Sequence, residues 1–283
     1  MKYLLQLARL RHWIKNLLIF APLFFVGNPI HQQDLIEGSL LFLAFSLLAS
    51  SIYVMNDLVD APSDRLHPAK KHRPIAAKTV SRNSAILFMI ILLGLVIAMS
   101  FHFPIKVIII LGVYFICNVL YSTWLKHVVI VDIFLISIMY LMRIYAGSKL
   151  WDIPLSHWII LCTFFATLFM ITAKRRAELN ALETGGGQAR SVIKLYDREF
   201  LDHALTITLT ATLVAYGLYT VSTARPYMLY ALFFVTFGLM RYLYLIYHEN
   251  IGQTPEDILL KDFFILGSFV AWVLYNAAVI YIT

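Results

Sequence analysis

Apolar residues in this chain come in long blocks, at approximately 13–27, 35–55, 84–102, 104–121, 128–147, 155–173, 203–221, 226–247 and 262–282, separated by polar joints. An α-helix needs about 17 to 25 such residues to cross a hydrocarbon core. The pattern predicts an all-α, polytopic membrane protein, a bundle of about nine transmembrane helices in a single domain over 1–283. The first block is short and Pro104 separates two that could form one broken unit, so the count lies between eight and ten. Arg9, Arg11 and Lys15 precede or enter the first block and no small-residue cleavage site follows, which reads as a span and not a cleavable signal peptide.

Composition points the same way. The chain is 60% hydrophobic and only 14% charged, with mean hydropathy +0.77, whereas a soluble domain carries about a quarter charged residues. Nineteen of the 23 lysines and arginines fall at the N-terminus or in the alternate loops that share its side. Short cytoplasmic loops retain basic residues, so the expectation is a multi-pass cell-membrane protein with its N-terminus and its two long loops, 56–83 and 174–202, in the cytoplasm. Lys106, Lys149 and Arg225 fall on the other side, and Arg143 lies inside a span. The pI of about 9.3 is therefore topology and gives no argument for nucleic acid. Cys117 and Cys162 sit in apolar blocks as small hydrophobes, with no disulfide or metal framework. Gly185, Gly186 and Gly187 match no phosphate-binding fingerprint and read as a flexible joint.

The chemistry-bearing residues concentrate in the cytoplasmic loops. In NDLVDAPSD, residues 56–64, Asn56, Asp60 and Asp64 are spaced by four, and Asp57 stands three and seven residues before Asp60 and Asp64. On a helix all four side chains can address one cavity. Oxygen donors gathered in this way suit Mg²⁺, which takes one or two carboxylates together with substrate phosphates and water. The plainer reading is a solvated helix end balanced by Lys70, Lys71 and Arg73. Repulsion between carboxylates at this spacing weighs against it unless a cation is bound. The basic residues that follow could neutralise a metal-bound diphosphate.

A second polar set, NVLYSTWLKHVVIVD at 118–132, places Asn118, Tyr121, Ser122, Lys126 and Asp132 around a cytoplasmic turn. Arg143 lies some way into the following span, where an ionisable group faces a cavity or a paired group; pairing for packing alone is the alternative. In AKRRAEL, 173–179, Lys174 and Glu178 stand one helical turn apart and could be a simple intrahelical ion pair.

These residues carry a resemblance. NDLVDAPSD resembles the first aspartate-rich motif of the UbiA superfamily of intramembrane prenyltransferases, Asn-Asp-x-x-Asp-x-x-x-Asp, met at Asn56, Asp57, Asp60 and Asp64. RHWIKNLLIFAP (11–22), DRLHPAKKHRPIA (64–76), YSTWLKHVVIVD (121–132), AKRRAEL (173–179) and RSVIKLY (190–196) extend it over nearly the whole chain, and look like the polyprenyl-phosphate phosphoribosyltransferase branch. That branch implies transfer of 5-phosphoribose from phosphoribosyl diphosphate to a polyprenyl phosphate such as decaprenyl phosphate, with release of diphosphate. Aromatic prenyltransferases of the superfamily carry a second Asp-x-x-x-Asp motif, but here Asp132 is followed four residues later by Ile136.

The resemblance implies Mg²⁺ on Asn56 and Asp60, with Asp57, Asp60 and Asp64 as the catalytic carboxylates. Lys71, Arg73, Lys126 and Lys174 would take donor phosphates, Lys15 the 5-phosphate or the lipid phosphate, and Tyr121, Arg143 and Tyr196 would complete the substrate-binding set. Two other functions stay open at this stage: an aromatic prenyltransferase using a prenyl diphosphate, and a transporter of an anionic lipid or metabolite, which could also line a cavity with basic groups. Lipid length and oligomeric state are not legible, and a homo-oligomer is allowed.

Overall fold

The structure is a computed structural model and describes residues 2–65, 70–183, 191–223, 225–248, 258 and 261–282; the Gly185–Gly187 joint lies outside them. The described residues form ten α-helices and no strand: α1 Lys2–Ala8, α2 Ala21–Val26, α3 Gln32–Asp64, α4 Arg82–Ser100, α5 Ile105–Thr123, α6 Val131–Leu150, α7 His157–Glu183, α8 Arg198–Ser222, α9 Ala231–His248 and α10 Phe263–Tyr281. Eight of the helical segments are long and apolar enough to cross a membrane.

Polar side chains set where several helices begin. In α3, His31 N–H donates to Asp34 Oδ2 at 2.9 Å in a reciprocal cap. Ser81, Asp197 and Asp262 accept from the backbone N–H groups of Ser84, Phe200 and Ile265 at the starts of α4, α8 and α10. Each such bond satisfies a donor that the first turn leaves without an intrahelical partner.

The expected first span is built differently from the rest. Residues Leu10–Phe20 form a 3₁₀ helix, and α2 follows at once. Side chains three apart eclipse in a 3₁₀ helix, so Trp13, Asn16 and Ile19 fall in one row. Trp13 Nε1 donates to Ser50 Oγ at 3.1 Å, Asn16 Nδ2 donates to Ser46 Oγ at 2.9 Å, and Ile19 is fully buried. The specific bonds to α3 favour the tighter winding. At the rises of 3₁₀ and α geometry the two pieces are together roughly 30 Å long, close to the thickness of a hydrocarbon core.

The chain packs as two compact units, 1–125 with 142–154, and 126–141 with 155–283. Helix α6 contributes its first turns to the second and the remainder to the first. In the first unit α3 is the centre, with α1, the 3₁₀ helix, α4 and α5 packed on it. Leu7, Val54, Ala61, Ile75, Val80 and Ala85 form one core cluster there. Gly147 of α6 lies so close to the Ile19 carbonyl that an added Cβ would collide with it. In the second unit α7 packs along α8, and α9 along α10. Phe169, Ala173, Leu205, Leu209, Tyr242, Leu245, Ile246 and Ile265 close that core from all four helices.

Candidate functional site

The last turns of α3 carry the aspartate motif. Asp57 and Asp64, seven residues and two turns apart, share a face, and each is only 3% exposed. The chain after the motif folds back over them: Ala77 N–H donates to the Arg73 carbonyl, Val80 N–H to the Pro74 carbonyl, and Ile75 and Val80 enter the core. That return places Arg73 Nη1 2.8 Å from Asp64 Oδ2 and 3.1 Å from Asp57 Oδ1. A second guanidinium arrives from the junction between α1 and the 3₁₀ helix. Arg9 Nη2 donates to the same Asp57 Oδ1 at 2.6 Å, and its charge centre lies 4.8 Å from the centroid of Tyr53, one turn earlier on α3.

Arg9 itself is held in the left-handed region, φ 49° and ψ 52°, an uncommon conformation for a residue with a Cβ. The residues just before it are anchored. Leu7 and Ala8 are buried, and Ser50 Oγ donates to the Ala8 carbonyl at 2.7 Å.

The donor set fits a hard divalent cation. Asn56 Oδ1 is buried and has no hydrogen-bond partner among the described residues, an arrangement that is costly unless something electropositive completes it. Both arginines reach Asp57 through Oδ1, and Arg73 reaches Asp64 through Oδ2, leaving the second carboxylate oxygens for another partner. Among the described residues no three His, Cys, Asp or Glu side chains form a closed metal cage. A cation held here would therefore draw part of its shell from water or substrate oxygens, which is how Mg²⁺ is usually bound.

Deeper in the first unit, Arg143 is 5% exposed and donates from Nε to Asn16 Oδ1 at 2.7 Å and from Nη2 to Tyr114 OH at 2.8 Å. It also lies 5.0 Å from the Tyr114 ring centroid. Asn16 passes the network on to Ser46, which donates to the Phe42 carbonyl at 2.7 Å. These bonds link the 3₁₀ helix, α3, α5 and α6. Burial and these bonds fit the packing alternative for Arg143, and they leave its expected contact with substrate phosphate as a proposal.

The second unit holds a polar network of another kind. Asp132 and Arg175 are both fully buried, with Arg175 Nε 2.6 Å from Asp132 Oδ2. Arg175 Nη1 donates to Glu178 Oε2 at 3.0 Å. Tyr196 OH donates to Asp132 Oδ1 at 2.6 Å and accepts Ile130 N–H at 2.7 Å. Burial, and then the hydrogen bond to Asp132, push the Tyr196 phenol well above its ordinary value. Ile130 is left-handed at φ 70°, a genuine outlier for a β-branched residue, and Tyr196 fastens it. With Arg175 on one oxygen and Tyr196 on the other, Asp132 is an architectural carboxylate. Nearby, Arg176 Nε pairs with Asp202 at 2.7 Å, and Tyr247 OH donates to the same carboxylate at 3.0 Å, joining α7, α8 and α9.

Of the residues singled out in the sequence, the structure joins Asp57, Asp64 and Arg73 directly. Asn56 and Asp60 are half-buried on the same turns of α3, Lys15 is half-buried on the 3₁₀ helix, and Lys71 is exposed. Tyr121 at the end of α5 is half-buried and belongs to the first unit; Lys126, Lys174 and Tyr196 belong to the second. Sequence reasoning missed Arg9 as a partner of Asp57 and Arg175 as the partner of Asp132. The pairs are 48 and 43 residues apart, beyond any helical period, and the only local signal was a basic residue beside an apolar segment.

Comparison with known proteins places the chain. The model of the UbiA prenyltransferase family matches residues 17–267. The chain is 36% identical to a decaprenyl-phosphate phosphoribosyltransferase of Mycolicibacterium smegmatis, over 98% of this chain and 92% of the relative. It is 30% identical to one of Corynebacterium glutamicum, over 99% of this chain and 87% of the relative. In fold it is similar to a UbiA homolog from Archaeoglobus fulgidus solved bound to DMAPP and Mg²⁺, with TM-score 0.74, 20% identity and 99% of each chain covered. With its aspartate motif at the end of α3 and a family match over most of its length, the chain belongs to the UbiA prenyltransferase family.

Proposed function

We propose that this protein transfers 5-phosphoribose from phosphoribosyl diphosphate to a polyprenyl phosphate, releasing diphosphate, at the inner leaflet of the cell membrane with its N-terminus and motif loops cytoplasmic. The observation that carries the reading is near full-length similarity to relatives named decaprenyl-phosphate phosphoribosyltransferase, at 30 to 36% identity. The motif geometry supports it: oxygen donors and guanidinium groups stand side by side, as a metal-bound diphosphate requires.

Asn56 and Asp60, with Asp57 and Asp64 beside them, are the residues that would hold Mg²⁺, and solved UbiA homologs bound to Mg²⁺ and Cd²⁺ support use of a divalent metal. When bound, the ion supplies positive charge to the departing diphosphate. Lys71 and Arg73 neutralise donor phosphate charge that grows as the bond to the anomeric carbon breaks. Lys15, Tyr121, Lys126, Arg143, Lys174 and Tyr196 are assigned to the substrates; Tyr196 also fixes the 125–132 turn that bears Lys126, and Arg143 also ties the helices of the first unit. The lipid phosphate is already anionic at neutral pH, so no protein nucleophile is required. Catalysis rests on positioning and charge stabilisation.

The test is purified protein in lipid nanodiscs with Mg²⁺, given labelled phosphoribosyl diphosphate and decaprenyl phosphate in one arm, and geranyl diphosphate and 4-hydroxybenzoate in the other. Label in the lipid fraction of the first arm alone supports the proposal. Product in the second arm alone would make the protein an aromatic prenyltransferase.

A further inference from the structure

Two guanidinium groups sit on carboxylates of the motif, and they are held in different ways. Arg73 bridges Asp57 and Asp64 from a loop that is itself part of the core. Arg9 makes one ion pair, to Asp57 Oδ1, and is a quarter exposed. Its backbone is left-handed, and the residues just before it are anchored: Leu7 and Ala8 are buried, and Ser50 Oγ donates to the Ala8 carbonyl. Tyr53 supports the guanidinium from beneath without consuming its N–H donors. The result is a cation aimed at the motif on a fixed base, with one ion pair to give up and N–H donors to spare.

Charge balance says when it would be given up. Asp57 and Asp64 with Arg9 and Arg73 form a neutral quartet, which suits two carboxylates that are almost fully buried. A divalent cation held at Asn56 and Asp60 would compete for the same carboxylates and repel both guanidinium groups, and the excess of positive charge would favour an anionic phosphate.

We propose that Arg9 is the internal counter-cation of Asp57, displaced from that carboxylate when a divalent metal binds and thereby released to hold the diphosphate of the donor. This rests on a donor that carries a diphosphate, but its test uses neither phosphoribose nor lipid. Arg9 has no part in the sequence motif, and its role follows only from the 48-residue contact that the fold creates.

The experiment measures binding, not turnover, on wild type, Arg9→Gly and Arg9→Lys in detergent. Glycine suits the left-handed backbone, so Arg9→Gly removes the charge with little penalty to the chain; the thermal midpoint is recorded in parallel. Mn²⁺ binding is followed by electron paramagnetic resonance, and inorganic diphosphate binding by calorimetry at saturating Mn²⁺. The proposal expects Arg9→Gly to bind Mn²⁺ about threefold to tenfold more tightly and diphosphate about tenfold more weakly, with Arg9→Lys between it and wild type in both. Unchanged or weaker Mn²⁺ binding in Arg9→Gly, or unchanged diphosphate binding, overturns it. So does a fall in thermal midpoint in Arg9→Gly with both affinities at their wild-type values, the signature of a purely structural arginine. Absence of phosphoribosyl transfer with both shifts present would refute the proposed reaction and leave this inference standing.

Discussion

Asp57 and Asp132 are both nearly inaccessible carboxylates beside arginines, yet the two regions that hold them are finished to different degrees. Asp132 has a partner on each oxygen, Arg175 and Tyr196, and Arg175 goes on to Glu178. Asp57 has two arginines crowded on one oxygen, and the neighbouring Asn56 Oδ1 has no protein partner among the described residues. A saturated network stabilises one arrangement of helices. An unsaturated one leaves oxygen acceptors that a ligand could complete. The difference lies in how fully the carboxylates are paired and not in residue type, since both sites are built from Asp and Arg.

Breaking the saturated network should give the largest effect, and on stability. Arg175→Ala leaves Asp132 buried and uncompensated, a loss of about 3–5 kcal/mol, to be read as a collapse of the thermal midpoint in detergent. The paired change Asp132→Leu with Arg175→Met should cost less than either single change, because no charge is then stranded. If the pair cost as much as the sum of the singles, the network would not be a closed unit.

The unsaturated site should respond the other way round. Asp60→Ala is expected to lower turnover by about 10² to 10³ or more, the usual effect of removing a preorganised charge-stabilising element, with the thermal midpoint unchanged. A variant that kept wild-type turnover, or wild-type activity that survived complete chelation of Mg²⁺, would remove the motif from the chemistry.

Tyr196→Phe gives an intermediate effect. It strands the Ile130 N–H and one Asp132 oxygen, worth about 1–3 kcal/mol. It also has a pH signature. The folded phenol titrates above the unfolded one, so its contribution is complete below about pH 10 and is lost as pH rises from there. Wild type should lose stability on that alkaline side, and Tyr196→Phe should lose less; equal slopes in chemical denaturation would contradict the assignment.

The smallest effect is expected at Asp262. Burial acts against its charge, but bonds from Arg241 and from Ile265 N–H hold the carboxyl below the ordinary range. Its stabilisation is therefore present above about pH 4 and lost as pH falls below that. Asp262→Ala should cost about 1 kcal/mol as a lost helix cap and leave turnover unchanged.

The helices were legible because twenty-odd apolar residues in a row admit few structures other than a span. The segment at 13–27 was legible as apolar but not as 3₁₀, because its winding depends on Trp13 and Asn16 finding Ser50 and Ser46 on α3, contacts that no local pattern encodes. The aspartate motif was legible from its spacing on a single helix. What the spacing could not give was the state of each carboxylate, since Arg9, Arg73 and Arg175 come from other segments. The same limit explains Arg143: depth in a span marks it as costly, but only the structure shows Asn16 and Tyr114 satisfying it.

The most direct test of the account is the mass of the lipid after turnover. Decaprenyl phosphate incubated with the protein, phosphoribosyl diphosphate and Mg²⁺ should gain one phosphoribosyl group, with one diphosphate released for each lipid converted. Unchanged lipid beside hydrolysed donor, or no consumption of donor at all while other requirements are met, would contradict it.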